Sequence, residues 1–232
     1  MKIVSWNVNS IKMRLPRVIN WIEANHPDVL CLQETKTVDD SFPHQPFTDI
    51  HYQAHIYGQK SYNGVAFITK HAMQHIENSL GDPQHDPQAR LIRGQIEDVH
   101  IVNVYVPNGS EIDSDKFTYK QSWLARLYDD ICTRYTPDTP LIICGDFNIA
   151  PRDCDVSVPE KWQDSVLCHA SVRQALDQFI QWGFIDIFAQ KYPDCGLYSW
   201  WNYRELSFAK NNGLRIDLML VTKPVAQRTL DL

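Results

Sequence analysis

No apolar run in this chain approaches the ~18 residues that a membrane-spanning helix needs. A secretory leader is not expected either, because Met1-Lys2-Ile3-Val4-Ser5-Trp6 meets the polar Asn7 before an apolar signal core can form. Cysteine pairs at metal or redox spacing are missing. The six cysteines, at 31, 132, 144, 154, 168 and 195, include no Cys-x-x-Cys. Cys31, Cys132 and Cys144 fall in apolar periodic segments, where cysteine behaves as a small hydrophobe. A secreted disulfide framework is therefore not expected, and a reducing cytoplasm is. Positive charge is also in short supply. Against 28 Asp and Glu stand only 22 Lys and Arg, for a net charge of −6. That gives no support to general polyanion binding, so such a partner must be met by a local basic patch or by a metal ion. Internal repeats, low-complexity tracts and linkers are absent. The 232 residues, 44% of them hydrophobic, read as one globular domain over 1–232.

Two kinds of segment fill that length. Lys2 to Val8, Val29 to Leu32, Gly64 to Thr69, Val99 to Val106, Leu141 to Cys144 and Leu214 to Val221 are short, rich in β-branched residues, and bounded by polar or Gly/Pro signals. They read as strands. Several are almost continuously apolar, which predicts cover on both faces. Helical spacing marks three longer segments. Leu15, Val18, Ile19 and Ile22 form one stripe, with Pro16 suited to a first turn. Trp123, Leu124, Leu127, Tyr128 and Ile131 form the second, with Pro137 and Pro140 beyond it. Val172, Leu176, Phe179 and Ile180 form the third, stopped by Gly183. Thr37 to Phe47, Gly81 to Gln88 and Pro151 to Gln163 read as loops. A layered α/β fold accounts for the alternation.

Where the strands stop is the informative pattern. Val4-Ser5-Trp6 runs into Asn7; Val29-Leu30-Cys31-Leu32 runs into Gln33-Glu34-Thr35. Val102-Asn103-Val104-Tyr105-Val106 runs into Pro107-Asn108-Gly109, and Leu141-Ile142-Ile143-Cys144 into Gly145-Asp146-Phe147-Asn148. In open α/β sheets ligands gather beyond the carboxyl ends of strands. Singly, each ending also reads as a turn or a solvated side chain. Together, carboxylates and amides without a thiolate or histidine pair make the ligand set of a hard cation.

These residues carry a resemblance. Trp6-Asn7-Val8-Asn9, Leu32-Gln33-Glu34-Thr35-Lys36, Asn103 to Gly109, Gly145-Asp146-Phe147-Asn148-Ile149-Ala150-Pro151 and Gly213-Leu214-Arg215-Ile216-Asp217-Leu218 stand in that order. The set resembles the motifs of the exonuclease III and apurinic/apyrimidinic endonuclease branch of the endonuclease/exonuclease/phosphatase superfamily. It spans Asn7 to Asp217, nearly the whole chain. The resemblance implies a four-layer fold, with two mixed sheets face to face and helices outside. It also implies a Mg²⁺-dependent phosphodiesterase of DNA repair. Such an enzyme incises duplex DNA at abasic sites, digests it from 3′ ends and cleans those ends. Mn²⁺ is the alternative ion, and a monomer is expected.

Phosphodiester cleavage asks the protein to place a water, neutralise the phosphate and steady the leaving oxygen. Glu34 is the first choice of metal ligand, with Asn7 beside it as a neutral ligand or an orienting amide. Asp146 is the candidate to hold and deprotonate the water. Asn148 is the candidate to donate to a phosphate oxygen as charge builds. In a two-metal scheme Asp146 and Asn148 would instead hold a second ion. Tyr105 resembles the family's active-site tyrosine. Trp200 and Trp201, followed by Asn202-Tyr203-Arg204, resemble the aromatic segment lining the abasic-sugar pocket, with Trp200 the stronger candidate. Arg90 and Arg93, after the acidic loop at Asp82 and Asp86, are candidate phosphate contacts.

Asp217 resembles the residue that, in relatives, orients a histidine in a C-terminal Ser-Asp-His motif. None of the nine histidines here follows it. The expectation is a sequence stopping short of that motif and of the last strand. The alternative is a catalytically impaired homologue that only binds DNA. Another phosphoesterase of the superfamily is the remaining alternative. The inositol-phosphate branch would show Pro-x-Trp-Cys-Asp-Arg where this chain has Asn211-Asn212-Gly213-Leu214-Arg215-Ile216-Asp217.

Overall fold

The computed structural model describes residues 1–81, 86–194, 196–203 and 206–232. Asp82, Cys195 and Arg204 lie outside the described residues. The chain is an α/β protein built on two mixed sheets, of four and six strands, with helices beside them, as expected. By its internal contacts it divides into two compact units. One comprises Met1–Tyr105 and Leu141–Asp146, the other Val106–Pro140 and Phe147–Leu232.

The first unit begins with β1 (Ile3–Asn7), α1 (Ile11–Asn25), β2 (Val29–Gln33) and the short helix α2 (His44–Asp49). It continues through β3 (Gln53–Tyr57), β4 (Val65–Thr69), β5 (Gln74–Asn78), β6 (Leu91–Ile96) and β7 (Val99–Tyr105), and ends with β8 (Leu141–Asp146). One sheet runs β1-β2-β4-β3, and β5-β6-β7-β8 form a second layer packed against it. β1 and β2 are parallel, as are β7 and β8, and the other pairs in this unit are antiparallel. Every residue of β2, β4 and β8 is buried, which is what their continuous apolar sequences predict. Side chains alternate between faces. Leu30, Leu32, Ala66 and Ile68 turn outward to meet Ile11, Val18 and Ile22 of α1. Each of the leucine, isoleucine and valine side chains contributes about 1.5–3 kcal/mol on burial.

The inward face holds a polar layer. Asn103, fully buried on β7, donates from Nδ2 to the carbonyls of Leu32 and Ala66, each at 3.0 Å. Its Oδ1 accepts from Gln33 Nε2 at 2.7 Å, and Gln33 also donates to Ser5 Oγ at 3.1 Å. One amide of the second layer is thereby bonded to two strands of the first. Gly145 is fixed by a different constraint. At φ +143° it lies so close to β7 that a Cβ there would stand 1.9 Å from the Val104 carbonyl oxygen.

The second unit comprises α3 (Asp115–Arg134), α4 (Pro159–Trp162), α5 (Ala170–Trp182), β9 (Phe184–Asp186) and α6 (Ile187–Lys191). It continues with β10 (Trp200–Trp201), β11 (Gly213–Leu214), β12 (Asp217–Thr222) and α7 (Lys223–Ala226). β12 pairs antiparallel with β9, and β10 with β11. Gly183 caps α5 as expected, its N–H returning to Ile180 and Phe179.

The expected loops Thr37 to Phe47 and Pro151 to Gln163 contain the start of α2 and all of α4, and other expectations also need correction. Pro16 lies inside α1, at its sixth residue rather than in its first turn. β3, β5 and β6 stand where no strand is expected. β5 is exposed throughout, and β6 is interrupted by Arg93 and Gly94, so neither shows the apolar alternation of a strand. The expected strand Leu214 to Val221 breaks into β11 and β12, because Arg215 turns into a buried ion cluster. Cys154 is disulfide-bonded, while Cys31, Cys132, Cys144 and Cys168 are free thiols. No described helix is long and apolar enough to cross a membrane.

In that cluster Arg215 and Asp155, each 3% exposed, pair bidentately at 2.8 and 3.0 Å, and Arg215 also reaches Asp186. Arg152 completes the shell of Asp155. Burial alone would raise the Asp155 carboxyl, but Arg215 and Arg152 outweigh it and hold the carboxyl below its ordinary 3.8. A depressed folded-state pKa gives stability that is present above the unfolded value and lost as the pH falls through the folded one. Asp155→Ala should therefore lower unfolding free energy at neutral pH by about 3–5 kcal/mol. Its deficit relative to the parent should shrink as the pH drops below about 4. Denaturant titrations across that range test this, and a deficit independent of pH would contradict it.

Candidate active site

Four chemistry-bearing residues of the first unit sit at or just beyond strand ends: Asn7 closes β1, Glu34 follows β2, Tyr105 closes β7 and Asp146 closes β8. Register brings them together. Asn7 pairs with Gln33 across the parallel β1–β2 ladder, and Tyr105 pairs with Asp146 across β7–β8. The centre of the arrangement is the Asn7 amide. Its Oδ1 accepts from the Asn9 N–H at 3.0 Å, which fixes the orientation of the group. Its Nδ2 is then turned to donate to Glu34 Oε1 and to Asp146 Oδ2, each at 2.9 Å. One neutral amide thus gives one N–H to each carboxylate.

The backbone under Glu34 adopts the left-handed region, at φ +52°, as do Asn9, Ser10 and Lys36. For Glu and Lys that conformation is costly and persists only where neighbours hold it. The holding contacts run from Ser10 N–H to the Glu34 carbonyl at 2.7 Å and from Lys36 N–H to the Asn63 carbonyl at 2.9 Å. Lys36 in turn places Nζ 2.8 Å from Glu34 Oε2 and hydrogen-bonds Asn9 Oδ1. Burial pushes the Glu34 carboxyl up, but the bonds from Lys36 and Asn7 prevail and hold it below the usual range.

Tyr105 hydrogen-bonds Glu34. Burial, and then the charges of Glu34 and Asp146, push its phenol far above the ordinary value, with Arg90 opposing. Arg90 is 8% exposed and lies 4.6 Å from the Tyr105 ring centroid. It donates to the Tyr105 carbonyl at 3.0 Å and to Gln88 Oε1 at 2.6 Å. Among the expected phosphate contacts, Arg93 is buried within β6. Asp86, expected on an acidic loop, is buried and accepts from the Leu80 N–H at 3.2 Å.

In the second unit Asn148, at φ +50°, donates from Nδ2 to the Val106 carbonyl at 3.0 Å and accepts from Asn108 Nδ2 at 2.9 Å. Asp217 opens β12, where its N–H and that of Ile216 both donate to Ser199 Oγ at 3.1 Å. Burial pushes the Asp217 carboxyl up to about 6, against an opposing bond from Ser199. Trp200 meets Trp162 edge to face at 5.8 Å; Trp201 meets Phe208 and donates to Asn211 at 3.2 Å. Both tryptophans are half-buried.

Sequence reasoning gave no role to Lys36, Gln33, Asn103 or Lys120. Lys36 stood inside the quoted Glu34 motif, and Asn103 was an amide in an otherwise apolar strand. Lys120 falls three residues after Phe117 and three before Trp123 on the apolar face of α3, a readable signal.

The chemistry available is that of oxygen donors. Two carboxylates converge with no thiolate or imidazole between them, and no cluster of three or more His, Cys, Asp or Glu occurs among the described residues. That set fits a hard divalent cation such as Mg²⁺, which takes one or two carboxylates and keeps several waters. It does not fit a structural zinc site, which needs four closed ligands.

Comparison with known proteins adds the following. A model of the endonuclease/exonuclease/phosphatase family matches residues 4–231. An exodeoxyribonuclease of Bacillus subtilis (strain 168) is 32% identical over 234 residues, covering 100% of this chain and 92% of its own. An AP endonuclease from Archaeoglobus fulgidus superposes with a TM-score of 0.94 at 36% identity, over 100% of this chain and 90% of its own. A 3′ phosphatase from Neisseria bound to a product DNA hairpin superposes with a TM-score of 0.93 at 39% identity, over 98% and 88%.

Because burial and the charges of Glu34 and Asp146 disfavour its ionised form, the Tyr105 phenol should stay neutral far into alkali. Ultraviolet difference titration of the parent and of Tyr105→Phe should release equal numbers of phenolic protons up to about pH 12, well past the ordinary ~10. An extra tyrosinate in the parent below that pH would contradict the arrangement.

Proposed function

The chain belongs to the endonuclease/exonuclease/phosphatase family, and from that membership we propose how its residues divide the work of phosphodiester hydrolysis. It is a DNA-repair nuclease of the exodeoxyribonuclease and AP-endonuclease type. Its substrate is duplex DNA. It incises at abasic sites, digests from 3′ ends and clears blocked 3′ ends, acting as a monomer with Mg²⁺, or Mn²⁺ in its place. The observation that carries this reading is the Asn7 amide held between the carboxylates of Glu34 and Asp146 at adjacent strand ends.

Glu34 would hold the ion, being a carboxylate kept ionised by Lys36 and Asn7. When bound, the ion supplies a Lewis acid that neutralises charge on a phosphate oxygen. Asn7 serves as the orienting amide, its Oδ1 accepting from the Asn9 N–H while its Nδ2 donates to both carboxylates. Asp146 accepts that amide on Oδ2 and is the carboxylate that takes a proton from the attacking water. As the water's oxygen forms its bond to phosphorus, the ester oxygen on the opposite side leaves. Tyr105 keeps its proton and, with substrate bound, turns its single O–H from Glu34 to the phosphate or to that leaving oxygen. Arg90, stacked on the Tyr105 ring, holds the phenol's aim and adds positive charge for the phosphate. By family likeness Asn148 donates its amide to a phosphate oxygen, Asp217 orients a catalytic partner, and Trp200 lines the sugar pocket.

On a duplex with a single abasic site, the parent should cut with Mg²⁺ and stop with chelator. Asp146→Asn should bind that duplex normally and lose ~10²–10⁴-fold in turnover. Equal losses in binding and turnover would point to a positioning role instead. Glu34→Gln should weaken metal activation more than DNA affinity, which a metal titration of both proteins reads directly. A parent that binds the duplex and never cuts it would favour the binding-only reading.

A further inference from the structure

α3 buries a lysine among its core residues. Phe117, Trp123, Leu124, Leu127 and Ile131 make its apolar face, and Lys120 lies among them at 0% exposure. An ammonium removed from water is costly unless its donors are satisfied. Here Nζ donates to the carbonyl oxygens of Asn148 and Val166 at 2.7 Å each, and of Asn108 at 3.1 Å. An ammonium has three N–H bonds, and these three acceptors match them. They come from three segments well separated in sequence.

Two of the three acceptors belong to residues whose side chains also meet. Asn108 donates its amide to Asn148 Oδ1, and Asn148 donates its own to the Val106 carbonyl. The Asn148 amide is therefore held through both of its atoms, while its backbone, at φ +50°, is tied to Lys120. The lysine stem is seated as well. Gly109, at φ +99°, leaves the space in which an added Cβ would come within 3.2 Å of Lys120 Cδ.

We infer that Lys120 is a positioning residue of the hydrolytic reaction, its buried ammonium tying the main chains of Asn108 and Asn148 so that the Asn148 amide is aimed at the phosphate. This rests on the role given to Asn148 under Proposed function. Lys120 never touches the substrate. It acts by removing the freedom of the segments that carry the two asparagines.

A double-mutant cycle tests the inference. Lys120→Met keeps the stem and deletes the donors, Lys120→Arg keeps a cation with donors, and Asn148→Ala deletes the amide. Steady-state cleavage of an abasic duplex in Mg²⁺ is measured for each, and for Lys120→Met combined with Asn148→Ala. Lys120→Met should lose ~10–100-fold in kcat with KM nearly unchanged, in the range of mutations that disturb the support of a site. Lys120→Arg should recover part of that loss. In the Asn148→Ala background Lys120→Met should cost little more, because the group it aims is gone. Where Lys120→Met does not fold, Lys120→Gln carries the same cycle. Losses that multiply, or a loss in KM alone, would make Lys120 a structural residue and overturn the inference while leaving the role of Asn148 standing. Full activity in Asn148→Ala would overturn both.

Discussion

Two carboxylates that must work side by side repel one another, and the site's geometry follows from how that repulsion is managed. Two unit charges at ~4 Å in a partly buried setting interact by about 4 kcal/mol. Burial alone would answer by protonating one of them, as in paired-carboxylate sites. Here a neutral amide stands between them and donates to both, and an ammonium covers the far oxygen of one. Glu34 consequently stays ionised, and Tyr105 is kept neutral by burial and by the charges of Glu34 and Asp146. The ionised state of Glu34 is thus set against burial by Lys36 and Asn7, neither of which need take part in bond making.

That arrangement depends on strand ends being fixed to a fraction of a hydrogen-bond length. Within the first unit the fixing lies one residue pair deeper. Ser5 and Gln33 precede Asn7 and Glu34 on β1 and β2, and Asn103 precedes Tyr105 by two on β7. The Gln33–Asn103 bond and the two carbonyls that Asn103 reaches connect the layers immediately beneath the reactive groups. An apolar residue at 103 would pack, but it would leave two strand carbonyls and one amide without their present partner. Each such loss costs roughly 1–3 kcal/mol. The buried polar layer thereby selects one sliding position of sheet on sheet, which an all-apolar interface does not.

Much of this was legible in the sequence because strand ends announce themselves. A run such as Leu141-Ile142-Ile143-Cys144 has one period and one environment, and the polar residues after it must lie at an edge. The layered α/β class, the three long helices and the strand-end positions of Asn7, Glu34, Tyr105 and Asp146 follow from that logic, whereas the two face-to-face sheets were implied by the family resemblance. What escaped follows no period. β5 is exposed on both faces and carries a single apolar residue, Ile76, so nothing separates it from loop. Pro16 was drawn to a helix start by its own preference, yet α1 begins five residues earlier and absorbs it. Arg90 reads as a solvated cation by composition, and only tertiary packing reveals it under a tyrosine ring. Lys120 was legible in principle, but a lysine on an apolar face has an ordinary reading as a snorkelling side chain.

Strain is the remaining cost of the site, and its location is informative. Glu34 and Lys36 occupy left-handed backbone that neither prefers, and Ser10 and Asn9, hydrogen-bonded to them, also have positive φ. Glycine at 34 would relieve the torsion and forfeit the carboxylate; a longer turn would relieve it and lose the register with β1. The sequence keeps the short turn and offsets its cost with main-chain bonds that cross between the two strand ends, Ser10 N–H to the Glu34 carbonyl and Ile11 N–H to the Thr35 carbonyl. Those bonds also start α1, whose Ile11, Val18 and Ile22 then clamp the sheet from outside. The outer core and the reactive carboxylate are therefore parts of one mechanical unit. Loosening the α1 contact would free the Glu34 turn before it changed any residue within reach of the phosphate.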